Sequence, residues 1–307
     1  MVPIALRWLA LVAVLFGLPA SAAPGDRLDG IRARGVLTCG VWPRVRGFAV
    51  ERDGRYSGFD IDICRAVAAV VLGDADKVRF VMVSDIAQFL TRADVDMAVR
   101  RLTWTPNREA ATGTAFGPVT FYDGQGFLVP KGTSAAQIPR APVCVLNQEH
   151  HPETLASHFK GAIKVVLVDA DDAAERALRN SRCGAYSADV SWLAAARAGF
   201  QEGIARYEIL PDLISKEPLA PLVRAGDTGL LRWVRWTLYA MIDAEERGIG
   251  CSTKTISTRE RALLCSVGNY GEVFNRNFGA ASELKLDRGL NRLWSDGGLM
   301  YAPPLDR

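Results

Sequence analysis

The sequence predicts an α/β protein of two lobes, a clamshell with parallel-rich sheets and a two-strand hinge. Strand-like and helix-like segments alternate twice along the chain, and such alternation indicates sheets of parallel strands covered by helices. Two extended segments, 121–132 and 215–227, separate the alternations and can carry the chain to a second lobe and back. We therefore expect lobe 1 to comprise 23–128 plus 222–307 and lobe 2 to comprise 129–221.

Residues 1–22 have the pattern of a secretory signal peptide. Arg7 is the only charge before Asp26, an apolar run follows it, and Ala20-Ser21-Ala22 supplies the small residues of a cleavage site. We expect cleavage after Ala22, with a cut after Ala23 as the alternative. No Leu-x-x-Cys lipobox ends the leader, and no later stretch approaches the roughly 18 apolar residues of a membrane span. The sequence therefore predicts a free periplasmic protein.

The first alternation occupies residues 35–99. Its main helix has apolar residues at spacings of three and four, and Asp60 or Asp62 lies near its start. In order, the pattern predicts a strand over 35–41, a helix within 54–73, a strand over 77–83, a short helix over 85–93 and a strand over 95–99.

The second alternation follows the first extended segment. It predicts strands over 142–146, 164–168, 183–188 and 207–211, and helices over 152–161, 171–180 and 191–199. After the second extended segment, a long helix over 228–248 has an apolar face formed by Leu231, Val234, Leu238 and Ile242. In such sheets ligands bind beyond the carboxyl ends of the strands, which here would face the cleft between the lobes.

The overall charge argues against a nucleic-acid partner. The formal net charge is +3, or +2 once Arg7 is removed with the leader, and no basic run interrupts the chain. About 285 of the 307 residues follow the leader, enough for two ordinary domains. The composition is therefore that of an exported globular protein.

Six cysteines in an oxidising compartment favour disulfides. Spacing alone leaves fifteen connectivities open. The predicted topology favours pairing in sequence order, because it brings the two cysteines of each successive pair close together. A zinc site is the rival interpretation, although the chain contains no Cys-x-x-Cys. The expected pairs are Cys39–Cys64, Cys144–Cys183 and Cys251–Cys265.

The chain contains several long blocks, among them "SGFDIDICRAVAAVVLGD", "TWTPNRE", "FYDGQGFLVPK", "ISKEPLAPLVRAGD" and "VGNYGEVFNRNFG". These blocks resemble one known family, the general L-amino-acid-binding proteins of bacterial ABC importers, which are family-3 periplasmic solute-binding proteins. The resemblance runs from about residue 28 to about residue 304. It implies the hinged two-lobe fold, disulfides matching Cys39–Cys64 and Cys144–Cys183, an α-amino acid as ligand and delivery to a membrane permease.

The resemblance also implies a set of ligand contacts. Arg108 matches the cation for the ligand carboxylate, which a planar guanidinium can hold through two parallel hydrogen bonds. Thr103 and Thr105 match contacts beside it, Asp189 matches the acceptor for the ammonium, and Phe48 matches an aromatic near the ligand side chain. The alternatives are a solvated loop arginine at position 108 and a helix N-cap at position 189.

The chain departs from the family at two places that face the expected cleft. Where relatives have a Thr/Gly-rich turn for the ligand carboxylate, this chain has "NQEHHPE", which brings His150 and His151 there and adds two glutamates. In lobe 1, Trp42, Arg44 and Arg46 follow the first strand, and Arg101 stands where Asn or Ser is usual.

Three hypotheses account for these departures. The arginines can select an acidic ligand, the histidines with His158 can bind a metal, or the protein has become an accessory or sensory module that no longer binds amino acids. A fourth possibility, an enzyme like the cyclohexadienyl dehydratases that resemble this family, lacks a paired acid and base.

We expect a monomeric binding protein of an ABC importer, without catalysis, cofactor or metal. Its expected ligand is a polar or acidic L-amino acid, and its expected partner is an ABC permease in the inner membrane. The predicted ligand contacts are Arg108, Thr103, Thr105, Asp189, Phe48, Arg101, Trp42 and His150.

Overall fold

The computed structural model describes residues 27–147 and 150–305, so the predicted signal peptide lies outside the described residues. The strands are β1 (Leu37–Val41), β2 (Arg44–Val45), β3 (Ala49–Arg52), β4 (Arg55–Ser57), β5 (Val78–Met82), β6 (Met97–Ala98), β7 (Thr114–Phe116), β8 (Phe121–Asp123), β9 (Gln125–Pro130), β10 (Val143–Leu146), β11 (Val165–Val168), β12 (Ala185–Asp189), β13 (Tyr207–Ile209), β14 (Glu217–Leu219) and β15 (Leu222–Arg224).

Helices connect and cover these strands. They are α1 (Arg27–Arg34), α2 (Phe59–Leu72), α3 (Ile86–Thr91), α4 (Pro106–Thr112), α5 (His151–His158), α6 (Asp171–Arg179), α7 (Val190–Gly199), α8 (Gly203–Arg206), α9 (Thr228–Glu246), α10 (Thr258–Ser266) and α11 (Tyr270–Asn277). Within the described ranges, none of them combines the length and the apolar character that crossing a membrane requires.

Two five-stranded sheets form the two lobes, as predicted. The first has the order β5-β1-β6-β15-β7 and the second the order β11-β10-β12-β9-β13. In the first sheet β1 is parallel to β5 and β6, and in the second β10 is parallel to β11 and β12. The remaining pairs are antiparallel. The sheets are therefore mixed, because the strands that adjoin the crossings run against the βαβ units.

The hinge is an antiparallel pair between the two sheets. Strand β8 pairs with β14, with Phe121 opposite Leu219 and Asp123 opposite Glu217. Strand β9 begins two residues after β8 and pairs throughout with β12 and β13 of the second sheet. Residues 125–128, assigned above to lobe 1, are thus hydrogen-bonded into the lobe 2 sheet, and the boundary expected at residue 128 falls inside β9.

The core of lobe 1 is built around packed aromatic rings. Phe48 lies 4.8 Å from Phe278 and 5.1 Å from Phe121, ring centroid to ring centroid, and all three are almost fully buried. Helix α9 adds Leu230, Val234, Leu238 and Ile242, whereas Leu231, expected on that face, is only half-buried. The hairpin β2–β3–β4 was not predicted, because strands this short and polar leave no alternating pattern.

The three disulfides have the predicted pairing in sequence order. Their Cα–Cα distances are 6.2 Å for Cys39–Cys64, 5.6 Å for Cys144–Cys183 and 4.6 Å for Cys251–Cys265. The first ties β1 to α2 in lobe 1, and the second ties β10 to the segment that leads into β12 in lobe 2. Each lobe therefore has its own covalent link next to its central strands.

Candidate functional site

A cleft of about 800 Å³ lies between the lobes, where the strands of both sheets end. This volume is within the range of small-molecule sites. The segments after β1, β5 and β6 form its lobe 1 wall, the ends of β10 and β12 form its lobe 2 wall, and the hinge strand β14 closes its base. The lining residues are Trp42, Arg44, Val45, Ser84, Asp85, Ile86, Ala87, Arg100, Arg101, Leu102, Thr103, Arg108, Leu146, His151, Asp189, Trp192, Glu217 and Leu219.

Arg101 crosses this cleft from lobe 1 to lobe 2. Its Nη2 lies 3.5 Å from Asp189 Oδ2 and 3.9 Å from Asp123 Oδ2. Its guanidinium carbon lies 5.0 Å from the centroid of Phe48 and 5.8 Å from that of Trp192, so two aromatic faces hold the cation. Its backbone has a φ of 56°, in the left-handed region that residues other than glycine adopt uncommonly.

Phe48, expected to contact the ligand, is 1% exposed and does not line the cleft. It packs against the rings of the lobe 1 core, and the guanidinium of Arg101 lies over its face. The sequence identifies an aromatic near the cleft, but the Arg101 side chain lies over its ring and Phe48 does not line the cavity.

Arg108, expected to hold a ligand carboxylate, lies at the start of α4 beside Thr103 and Thr105. Thr105 caps α4, because its Oγ1 accepts a hydrogen bond of 3.2 Å from the Arg108 backbone N–H. The Arg108 side chain lines the cleft and donates a 3.0 Å hydrogen bond to the Thr103 carbonyl. The Thr103 hydroxyl donates to Glu217 Oε2 at 2.6 Å. Thr103 and Arg108 are therefore brought together in the cleft, whereas Thr105 is engaged in capping and is not among the lining residues.

Asp189 stands at the carboxyl end of β12 and faces Arg101. Its Oδ1 lies 3.1 Å from His151 Nε2 and, as an ionised carboxylate, accepts a hydrogen bond from that nitrogen in its protonated form. Burial opposes ionisation of this carboxyl, but the hydrogen bond from His151 and the charge of Arg101 hold the pKa of Asp189 below its usual 3.8. Asp189 is therefore a fixed anion, and α7 follows it without a cap from its side chain.

The histidine turn faces two different carboxylates. His150 Nε2 lies 2.9 Å from Glu217 Oε1, and the buried His151 contacts Asp189. His158 is at the opposite end of α5. Among the described residues, no three His, Cys, Asp or Glu side chains are grouped closely enough to hold a metal ion. The turn thus joins lobe 2 to the hinge through hydrogen bonds.

Two buried carboxyls lie behind the arginines. Burial raises the pKa of Asp60 from 3.8 to about 7, although Arg101 and Arg100 partly oppose this shift. Burial, together with the nearby Asp189 carboxylate, also raises the pKa of Asp123. Asp123 accepts hydrogen bonds from the Ser191 hydroxyl and backbone N–H and thereby fixes the start of α7.

Trp42 forms a platform for two further arginines. The guanidinium carbon of Arg44 lies 5.4 Å from its ring centroid and that of Arg100 lies 6.0 Å away. Arg46, in contrast, points toward Glu283 at 3.9 Å and is not a lining residue. Arg100 is partly buried, and burial lowers its pKa. The cleft therefore has a cationic wall formed by Arg44, Arg100, Arg101 and Arg108.

Sequence reasoning missed Glu217, Arg100 and Trp192. Glu217 lies in "SKEPL", which the sequence predicts as an extended crossing and as part of a family block, without a role for the glutamate. Its position opposite Asp123 depends on the antiparallel pairing of the two crossings, a contact between segments about 90 residues apart. The one signal in the sequence that could have indicated Glu217 was a carboxylate next to a proline in a predicted hinge segment.

Comparison with known proteins gives a consistent set of relatives. The family described as bacterial extracellular solute-binding proteins, family 3, matches residues 37–248. The glutamate/glutamine/aspartate/asparagine-binding protein BztA of Rhodobacter capsulatus is 39% identical, over 94% of this chain and 96% of the relative. The general L-amino acid-binding periplasmic protein AapJ of Rhizobium johnstonii is 38% identical, over 96% and 97%.

A solved structure supports the same relationship. The ABC transporter periplasmic binding protein of Brucella ovis, determined with glutathione bound, superimposes with a TM-score of 0.75. Its sequence is 34% identical, and the superposition covers 91% of this chain and 99% of that one. Each of these relatives is described as a binding protein.

Proposed function

The chain belongs to family 3 of the bacterial extracellular solute-binding proteins, and from that premise we propose that it captures a polar or acidic L-amino acid, preferably an acidic one. The ligand binds in the cleft between the lobes and is delivered to the permease of an ABC importer. The predicted signal peptide supports placing the protein in the periplasm, and we propose that it acts there as a monomer.

The cationic wall is the observation that carries this proposal. Arg44, Arg100, Arg101 and Arg108 all line one cavity. The Nε atom of Arg100 is buried without a hydrogen-bond partner in the described part of the chain. Because burial already disfavours the charge of Arg100, an anionic oxygen placed beside it gains a strong, charge-assisted interaction.

In the proposed complex the ligand links the lobes through its charges. Arg108 holds the α-carboxylate, Arg100 and Arg44 attract a side-chain carboxylate, and Asp189 and Glu217 are the carboxylates that face the ligand from lobe 2 and the hinge. Contacts to both walls stabilise the closed arrangement over the open one, and this shifts the population toward the form that a permease recognises.

The relatives support an acidic ligand in different ways. BztA is described as binding glutamate, glutamine, aspartate and asparagine, and the Brucella ovis protein was solved with glutathione, a peptide with two carboxylates. A cavity of about 800 Å³ has room for more than one amino acid. A small γ-glutamyl peptide such as glutathione is therefore the second candidate ligand.

A thermal-shift panel tests the proposal. The refolded, ligand-stripped protein would be heated with L-glutamate, L-aspartate, L-glutamine, L-leucine, L-arginine, glutathione or zinc. A ligand at 100 times its Kd stabilises the native state by about 2.7 kcal/mol, which raises the midpoint of a chain this size by several degrees. We expect shifts with the acidic compounds. A shift with arginine or leucine alone would contradict the proposal, and silence across the panel would favour a relative that no longer binds amino acids.

A further inference from the structure

We infer that Arg101 takes the place of the ligand ammonium at Asp189, so that the α-amino group adds little to affinity and a dicarboxylate of matching length binds about as well as the acidic amino acid. This inference rests on the proposed function and names a specificity-determining residue for it. It concerns which part of the ligand the cleft recognises.

The first step of the argument is geometric. Arg101 belongs to the segment after β6 in lobe 1, and Asp189 ends β12 in lobe 2, yet their side chains approach to 3.5 Å. The Arg101 side chain is only 17% exposed, and Phe48 and Trp192 flank it. The cation therefore has a built position between two rings and two carboxylates, and does not rest loosely on the surface.

The second step is that both oxygens of Asp189 are occupied. Oδ1 accepts from His151 at 3.1 Å, and Oδ2 faces Arg101. An arriving ammonium would have to share Oδ2 with a guanidinium of the same charge. That repulsion, in a site shielded from water, offsets the attraction that an ammonium would otherwise gain from Asp189.

The third step is that the other lining carboxylates are also engaged. Glu217 accepts from Thr103 at 2.6 Å and contacts His150 at 2.9 Å. Asp85 accepts from the Gln88 backbone N–H at 2.7 Å and from the Ser84 hydroxyl at 2.8 Å. Each acidic side chain that lines the cleft thus already has donors from the protein, whereas the cationic wall favours each carboxylate that a ligand brings.

The experiment compares a matched pair of probes, L-glutamate and glutarate, which differ in the α-amino group. Isothermal titration would give the Kd of each for the refolded wild type and for Arg101→Asn. Asparagine tolerates the left-handed backbone at this position. The substitution also keeps the backbone N–H that donates a hydrogen bond to Asp60. Arg46→Asn is the control, because it removes an arginine near the cleft that does not line it.

We expect the wild type and Arg46→Asn to bind the two probes with Kd values within about threefold of each other. Arg101→Asn exposes the Asp189 carboxylate, so we expect it to favour glutamate by about tenfold or more, as for a hydrogen bond between charged groups. Adding Asp189→Asn to Arg101→Asn should abolish the new preference. The wild-type ratio tests the inference without any variant, so the test holds even if Arg101→Asn weakens both probes.

Other results would overturn the inference. A wild type that prefers glutamate over glutarate by a hundredfold, or an Arg101→Asn variant with an unchanged ratio, would show that Arg101 does not substitute for the ammonium. If neither probe binds any variant, the proposed acidic ligand itself is wrong, and the inference falls with it.

Discussion

Arg108 is the residue on which the proposed carboxylate contact depends. We expect Arg108→Ala to weaken L-glutamate binding by about 100-fold or more, since two charge-assisted hydrogen bonds contribute about 3 kcal/mol or more together. Isothermal titration measures this change. Arg46→Ala, which removes a non-lining arginine, should bind glutamate normally. Unchanged affinity in Arg108→Ala would remove Arg108 from the site.

Asp60 is expected to make stability depend on pH. Its pKa is raised to about 7 in the folded state against 3.8 ordinarily, so between pH 4 and 7 the native state holds a proton that the unfolded chain releases. The contribution of Asp60 to the free energy of unfolding therefore falls as pH rises through that window, by at most about 1.4 kcal/mol per pH unit. Above the window this contribution stays constant.

Asp60→Asn removes this dependence. In denaturant titrations, the stability of the variant minus that of the wild type should increase from pH 4 to pH 7 and then stay constant. The amide keeps an acceptor for the Arg101 backbone N–H, so the comparison isolates the charge. A difference that does not change with pH would show that Asp60 is ionised throughout.

The sequence indicates which residues lie near the cleft, but it does not indicate what surrounds each side chain. Arg108, Thr103, Asp189 and Arg101 lie in the cleft as expected, because each follows a recognisable strand or block. Phe48 was expected beside the ligand but is buried in the lobe 1 core, since whether a ring faces a cavity or a core depends on neighbours that the local pattern does not contain.

The disulfide Cys251–Cys265 should affect stability without affecting ligand binding. Cys251 and Cys265 are 14 residues apart. Cys251 precedes α10, Cys265 lies in its last turn, and neither lines the cleft. We expect Cys251→Ser/Cys265→Ser to lose up to about 3 kcal/mol of stability in denaturant titrations, because the unfolded chain regains the entropy of an open loop.

Ligand binding should not respond to that change. The Kd for L-glutamate of the double variant should equal that of the wild type, since neither cysteine lines the cleft. A large loss of affinity without a loss of stability would instead indicate that the α10 region controls closure.

Regular elements were predictable where the hydrophobic pattern was long. Strand β1, helix α2 and the βα alternation of lobe 2 appear within a few residues of their expected bounds. The hairpin β2–β4 and the boundary inside β9 were not predictable, because both depend on pairing between segments and not on periodicity along one segment.

At the scale of the whole molecule, the two lobes are already connected across the cleft by side chains of the chain itself. Arg101 reaches Asp189, and His150 of lobe 2 reaches Glu217 of the hinge. A ligand therefore binds next to side chains that already contact each other, and it must compete with these contacts. The two-lobe arrangement followed from the sequence, but this internal bridge did not, because it depends on the distance between side chains of different lobes.

Direct titration of L-glutamate into the refolded, ligand-stripped protein tests the central claim that the cleft captures an acidic solute. We predict saturable binding at one site per chain, competed by glutathione or L-aspartate and not by L-arginine. Absence of saturation with every acidic compound, together with saturable binding of a neutral or basic amino acid, would contradict the account.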